Sequence, residues 1–154
     1  ACDDGNPCTT GDHCSGGACL AGAGLPIWFR DDDDDTYGDA AVTVCAASAP
    51  SGYVANDDDC CDGDSRVRPD QTAWFNEAYD CGAGPSFDYD CNATEEHRWT
   101  ATGGGCRSSG TSCTSTVGFE GSAAPACGAS GTWVAGCDFL FCSPTTESRT
   151  QECR

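Results

Sequence analysis

Five consecutive aspartates, Asp31 to Asp35, run into Thr36-Tyr37-Gly38-Asp39. Adjacent carboxylates repel one another, and the only cation beside the run is Arg30. Taken every second residue, Asp31, Asp33, Asp35 and Asp39 fall at positions 1, 3, 5 and 9 of a calcium loop, in which alternate carboxylates converge on one hard cation. The backbone carbonyl at position 7, here Tyr37, adds another oxygen. The alternative is a solvated acidic run serving as linker or tail. An ordered run at this charge density requires a counter-ion.

Two further clusters follow the same logic. Asp57-Asp58-Asp59-Cys60-Cys61-Asp62-Gly63-Asp64 is dense in acid, and Gly63 permits a sharp turn. Asp88, Asp90, Asn92 and Glu96 repeat the 1, 3, 5, 9 stride with Cys91 set inside it. Calcium takes about 6–8 oxygens, more than one such loop offers, and neither strided loop has a clear bidentate glutamate at position 12. Ligands from different loops are therefore expected to share ions, with Asp59, Asp62 and Asp64 completing the site begun by Asp31. Two or three calcium ions are expected in all. Asn92-Ala93-Thr94 is also a glycosylation sequon, and a glycan on Asn92 would remove it as a ligand; the stride favours the ligand reading.

Motifs for catalysis are missing. There is no G-x-S-x-G elbow, no H-E-x-x-H and no phosphate-binding glycine loop. His13 and His97 stand outside any motif and read as turn or surface residues. Paired carboxylates can hydrolyse glycosides, but a cleft needs a larger scaffold. The expectation is a non-enzyme, with a small secreted hydrolase or inhibitor domain as an alternative. Copper would favour His or Cys donors; the oxygen-rich set favours calcium.

The elements that must position these groups are short. The chain has 154 residues, 25 acidic groups against 7 arginines, no lysine or methionine, and a formal charge of −18. Nucleic acid is excluded as a natural partner, because phosphate would be repelled, and anionic membrane surfaces are disfavoured likewise. No apolar stretch approaches the ~20 residues of a membrane helix. Fifteen cysteines without a C-x-x-C pair point to disulfides rather than zinc, and so to an oxidising, extracellular or cell-surface location. A start at Ala1 reads as a signal-cleavage product or an excised piece.

Three segments are expected: a four-cysteine module at 1–24, an acidic calcium-loop domain at 25–98, and a six-cysteine β-rich domain at 99–154. Short strands are expected at Pro26–Phe29, Ala41–Val44 and Gly52–Val54, with one or two helical turns at most over Gln71–Tyr79. Trp133-Val134 and Phe139-Leu140-Phe141 are the apolar candidates for the core of the last segment. The fold class is thus small, disulfide-rich and mostly irregular, with short β-strands and little helix. Four cysteines are expected to close within 1–24, Cys45 to pair with Cys60, and the six from Cys106 onward to pair mostly among themselves. Cys81 and Cys91 are left to pair with each other or with Cys61. The count is odd. Cys61 is the candidate for the extra thiol, a vicinal Cys60–Cys61 bridge being possible but strained.

The middle segment resembles an acidic, cysteine-containing repeat of secreted myxobacterial-type surface proteins, D-x-D-x-D-G-Y-G-D, then a cysteine, P-x-G-Y-V, D-C-D-D-x-D-x-x-V-x-P and D-x-D-C-D-G. The matching residues are Asp31–Asp39, Cys45, Pro50-Ser51-Gly52-Tyr53-Val54, Asp59-Cys60-Cys61-Asp62-Gly63-Asp64, Val67-Arg68-Pro69 and Asp88-Tyr89-Asp90-Cys91-Asn92. The first segment resembles the C-x-D-G-N-P-C-T modules beside such repeats. In loop chemistry both are similar to thrombospondin type 3 repeats, where calcium and disulfides replace a core. Departures are Thr36 in place of glycine, and Cys61 and Asn92 in place of aspartate. The resemblance implies a calcium-dependent structural or adhesive protein of the cell surface. Combined with an odd cysteine, it suggests a self-associating subunit of a filament or coat, with homo-oligomers or other matrix proteins as partners. The alternative is a monomeric calcium- or copper-binding surface module.

Overall fold

A computed structural model describes residues 2–154. Two compact units are present, the first running to Pro69 and the second spanning Asp70–Arg154; the division falls inside the segment read as 25–98. Among the described residues there is no helix, and fourteen short strands carry the regular structure. The small, disulfide-rich, mostly irregular class is what the chain adopts. The turns anticipated over Gln71–Tyr79 do not form. Phe75 instead exchanges both backbone hydrogen bonds with Cys153, and its ring stacks on Tyr89 at 3.9 Å.

In the first unit, β1 (Thr9–Thr10) pairs with β4 (Ala23–Gly24), and β2 (His13–Ser15) forms a hairpin with β3 (Ala18–Leu20). Gly16 and Gly17 close that hairpin with φ of 60° and 85°, the double left-handed turn that glycine adopts without penalty. Then β5 (Ile27–Arg30) lies between β6 (Asp39–Cys45) and β7 (Tyr53–Val54). Tight packing at the head of this sheet requires Gly38, where a Cβ would lie 2.7 Å from Phe29 Cβ. The apolar core is minimal: Val67 and Cys61 are buried, and so are the carboxylate-bearing Asp31 and Asp35, each at 8 % exposure. Carboxylates occupy space that a larger domain would fill with hydrocarbon.

The second unit is better packed. Here β8 (Tyr79–Asp80) pairs with β9 (Pro85–Ser86), β10 (Gly105–Ser109) with β11 (Ser112–Thr116), and β13 (Ser130–Cys137) lies between β12 (Gly118–Phe119) and β14 (Pro144–Thr150). Tyr89, Phe119, Trp133, Val134 and Cys153 are buried. The Arg149 guanidinium lies over both Trp99 (4.4 Å) and Trp133 (4.1 Å). Trp133-Val134 enters the core as anticipated, but Phe139-Leu140-Phe141 does not, being 92, 88 and 83 % exposed. The Asp138 carboxylate accepts the Leu140 and Phe141 N–H groups, and the Asp138 N–H reaches Ser143 carbonyl, so the connection closes as a tight loop with its apolar side chains outward.

Seven disulfides staple the chain. The last six cysteines pair among themselves, as Cys106–Cys137, Cys113–Cys142 and Cys127–Cys153. Elsewhere the pairing differs from expectation. Cys2 joins Cys19, but Cys8 reaches out of the first module to Cys45, so Cys45 does not meet Cys60. The backbone explains this: Leu25 N–H bonds Cys8 carbonyl and β1 pairs with β4, laying Cys8 beside the entry to β5, whose Ile27 is registered with Cys45. Cys60, Cys61, Cys81 and Cys91 are all oxidised. Cys61 is therefore not the extra thiol; that is Cys14, exposed on β2.

Candidate metal centre

The first acidic loop connects β5 to β6 and is shaped by its own side chains. Asp31 Oδ1 accepts the Asp35 N–H (3.1 Å) and Asp31 Oδ2 the Thr36 N–H (3.1 Å). Asp33 Oδ1 also accepts from Asp35 N–H, and Asp35 Oδ1 accepts the Tyr37 N–H at 2.8 Å. Aspartate suits this work because its short carboxylate reaches the backbone two residues on. Asp34 and Thr36 have φ of 61° and 81°, which wraps the chain around one point. As a result one oxygen each of Asp31, Asp33 and Asp35 lies within 4.8 Å of the others. Asn56 holds the rim, donating from Nδ2 to Thr36 carbonyl at 2.8 Å.

Asp59 stands nearby in the following cluster, its N–H donated to Gly38 carbonyl and its Oδ1 accepting Cys61 N–H. Burial, followed by the charges of Asp35 and Asp59, pushes the Asp33 carboxyl up to about 6. Asp59 is raised as well, first by burial and then by Asp35, Asp62 and Asp31, against the lowering effect of the Cys61 N–H. Asp33 Oδ2 and Asp59 Oδ2 are buried acceptors without a hydrogen-bond donor. Such groups are costly unless a cation satisfies them. Asp31, Asp33 and Asp35 thus bring together all-oxygen donors that could hold a metal ion, with Asp59 near enough for its charge to act on Asp33.

The other residues singled out beside this loop make contacts of their own. Tyr37 lies on the loop and donates its N–H to Asp35. Asp39 is registered with Arg30 across β5 and β6, and its Oδ1 accepts Ala41 N–H. Asp62 takes Arg30 Nε at 3.1 Å and the Asp32 N–H at 2.8 Å, so it braces the loop while neutralised by a guanidinium. Asp64 is gripped by Arg66 through Nε and a second guanidinium nitrogen, which lowers its carboxyl below the usual range. These arginine partners lie two and 32 residues away.

The second strided loop repeats the first position by position. Asp88 Oδ1 and Oδ2 accept the Asn92 and Ala93 N–H groups, as Asp31 accepts those of Asp35 and Thr36. Asn92 Oδ1 accepts the Thr94 N–H, as Asp35 accepts that of Tyr37. Cys91 and Ala93 have φ of 58° and 65°, the same two positions that are left-handed in the first loop. Glu96 Oε1 accepts from Asn92 Nδ2 at 2.7 Å, which engages the sequon's amide. Asp90 is raised by burial first and by Glu96 second, while the charge of Arg154, 3.1 Å away, opposes the rise. Asp90 Oδ1 and Glu96 Oε2 are buried without a hydrogen-bond donor.

A third group, Asp3, Asp4 and Asp12, is different in kind. Asp12 accepts the Asp4 and Gly22 N–H groups, which lower its carboxyl, and Asp3 and Asp4 accept those of Gly5 and Asn6. These aspartates build turns. Arg154 and Asn56 are the site neighbours that sequence reasoning missed; both act across a gap in the chain, and neither has a local signature. No protein-family model, curated protein or solved structure matches the chain.

Proposed function

We propose that this chain is a non-enzymatic, extracellular structural or adhesive protein whose first unit is held together by a calcium ion seated on Asp31, Asp33, Asp35 and Asp59. The observation carrying this reading is the pair of buried acceptors that lack a donor, Asp33 Oδ2 within the converging Asp31, Asp33 and Asp35 group and Asp59 Oδ2, whose charge couples to it. Hard carboxylate oxygens favour calcium over zinc or copper, which prefer imidazole or thiolate. The heavy cross-linking is compatible with an oxidising, extracellular setting, and no helix is long and apolar enough to cross a membrane. Dialysis of the oxidised chain against calcium or copper, with metal counted per chain, tests the assignment. Retention of calcium and loss of copper supports it; the reverse selects the copper-binding alternative.

A second reading, a self-associating subunit of a surface filament or coat, is favoured by the exposed Phe139-Leu140-Phe141 loop and the exposed Cys14 thiol. After residue 98 the only acids are Glu120, Asp138, Glu147 and Glu152, set against Arg107, Arg149 and Arg154. Copies meeting through that nearly neutral stretch avoid most of the repulsion that a charge of −18 imposes. Sedimentation of the calcium-loaded chain across a concentration series tests it. A single monomer species at every concentration selects the monomeric surface module instead.

A further inference from the structure

A guanidinium reaches the loop around Asp88. Arg154 Nε stands 3.1 Å from Asp90 Oδ2, and Asp90 is largely enclosed, its side chain 12 % exposed. The arginine is held there from two directions. Its backbone exchanges both hydrogen bonds with Glu96, 3.1 Å from Arg154 N to Glu96 O and 2.9 Å in return. Residues so paired carry their Cβ atoms about 5 Å apart, which directs the Arg154 side chain toward the acids of the loop. Trp74 supplies the other wall, its ring centroid 4.8 Å from the guanidinium carbon.

Beside the first loop, Arg30 pairs with Asp62 at 3.1 Å and Asp32 at 3.4 Å, neither of which belongs to the converging Asp31, Asp33 and Asp35 group. The charge demand differs in step. Position 5 is the ionisable Asp35 in one loop and the neutral Asn92 in the other.

We propose that Arg154 is the resident cation of the second loop, doing with a guanidinium what a metal ion does in the first, so that metal dependence is confined to the first unit. The contrast between loops rests on the calcium reading above; the role of Arg154 does not. Planar, permanently charged guanidinium suits a carboxylate partner in a way that a mobile ammonium does not. Removing it leaves the enclosed Asp90 carboxylate without its ion-pair partner, and only then does the second loop need a metal.

Hydrogen exchange at the amides of Asn92, Ala93 and Thr94 reads this in the full, oxidised chain. In wild type, their protection is the same in calcium as in EGTA. In Arg154→Gln it drops about tenfold or more in EGTA, the scale expected for leaving a largely enclosed carboxylate without its ion-pair partner, and added calcium restores it. Arg154→Lys retains part of the protection without metal. Equal protection of wild type and Arg154→Gln in EGTA overturns the proposal, as does loss of wild-type protection at these amides on adding EGTA. Should the amides of Asp35 and Thr36 prove indifferent to calcium, the calcium reading of the first loop fails, while Arg154 is still judged by the two variants in EGTA.

Discussion

Thr36 holds a φ of 81°, where a β-branched side chain is crowded against its own backbone. The strain is tolerated because the Thr36 N–H completes Asp31 Oδ2 and its carbonyl takes Asn56 Nδ2. Thr36→Gly should therefore raise stability by about 1 kcal/mol, the left-handed penalty exceeding the entropy glycine adds; thermal melts in calcium check it. Asp33 gives a second residue-level prediction. Its folded carboxyl is raised from 3.8 to about 6, so the metal-free fold prefers it protonated. Its contribution is fully present below about pH 4 and is lost as pH rises through about 6. Melting temperature in EGTA should fall between those values, and Asp33→Asn should flatten the fall. The same substitution should weaken calcium binding at least about tenfold, because a charged ligand is lost. Opposite signs with and without metal separate a ligand from a merely unfavourable acid.

The strided loops were legible in the sequence because their logic is local: each aspartate reaches the backbone two to five residues on, and a period of two survives in the order of residues. Their left-handed positions were not legible, since Asp34, Thr36, Cys91 and Ala93 are not residues that announce a positive φ. Strands β5, β6 and β7 were foreseen within a few residues from their aliphatic and aromatic runs. The Phe139-Leu140-Phe141 loop read as core because it is apolar; one aspartate, Asp138, turns it outward. The Cys8–Cys45 bridge was hidden for another reason: register between β5 and β6 sets it, and register is a tertiary property. That bridge closes 37 residues. Replacing both cysteines by serine should cost about 3–4 kcal/mol by the chain-entropy account, measurable by chemical denaturation of the oxidised chain.

The whole molecule divides its means of staying folded. The first unit has few buried apolar side chains and relies on cross-links and carboxylate loops, whereas the second packs Tyr89, Phe119, Trp133 and Val134 into a core. Loss of metal should accordingly loosen the first unit and spare the second. The exposed apolar loop and Cys14 carry the prediction about assembly. Phe139→Ser with Phe141→Ser should abolish concentration-dependent association, and Cys14→Ser should remove any reducible dimer while leaving non-covalent association intact. Light scattering with and without reductant distinguishes the two contributions.

In the function proposed, the Asp31 loop is a calcium seat on which the first unit depends. Calorimetric titration of the oxidised chain with calcium, paired with melting curves in calcium and in EGTA, tests it most directly. Saturable binding that Asp33→Asn weakens is expected, with a melting transition that moves down when EGTA removes the ion. Absence of binding heat together with superimposable melting curves would contradict it.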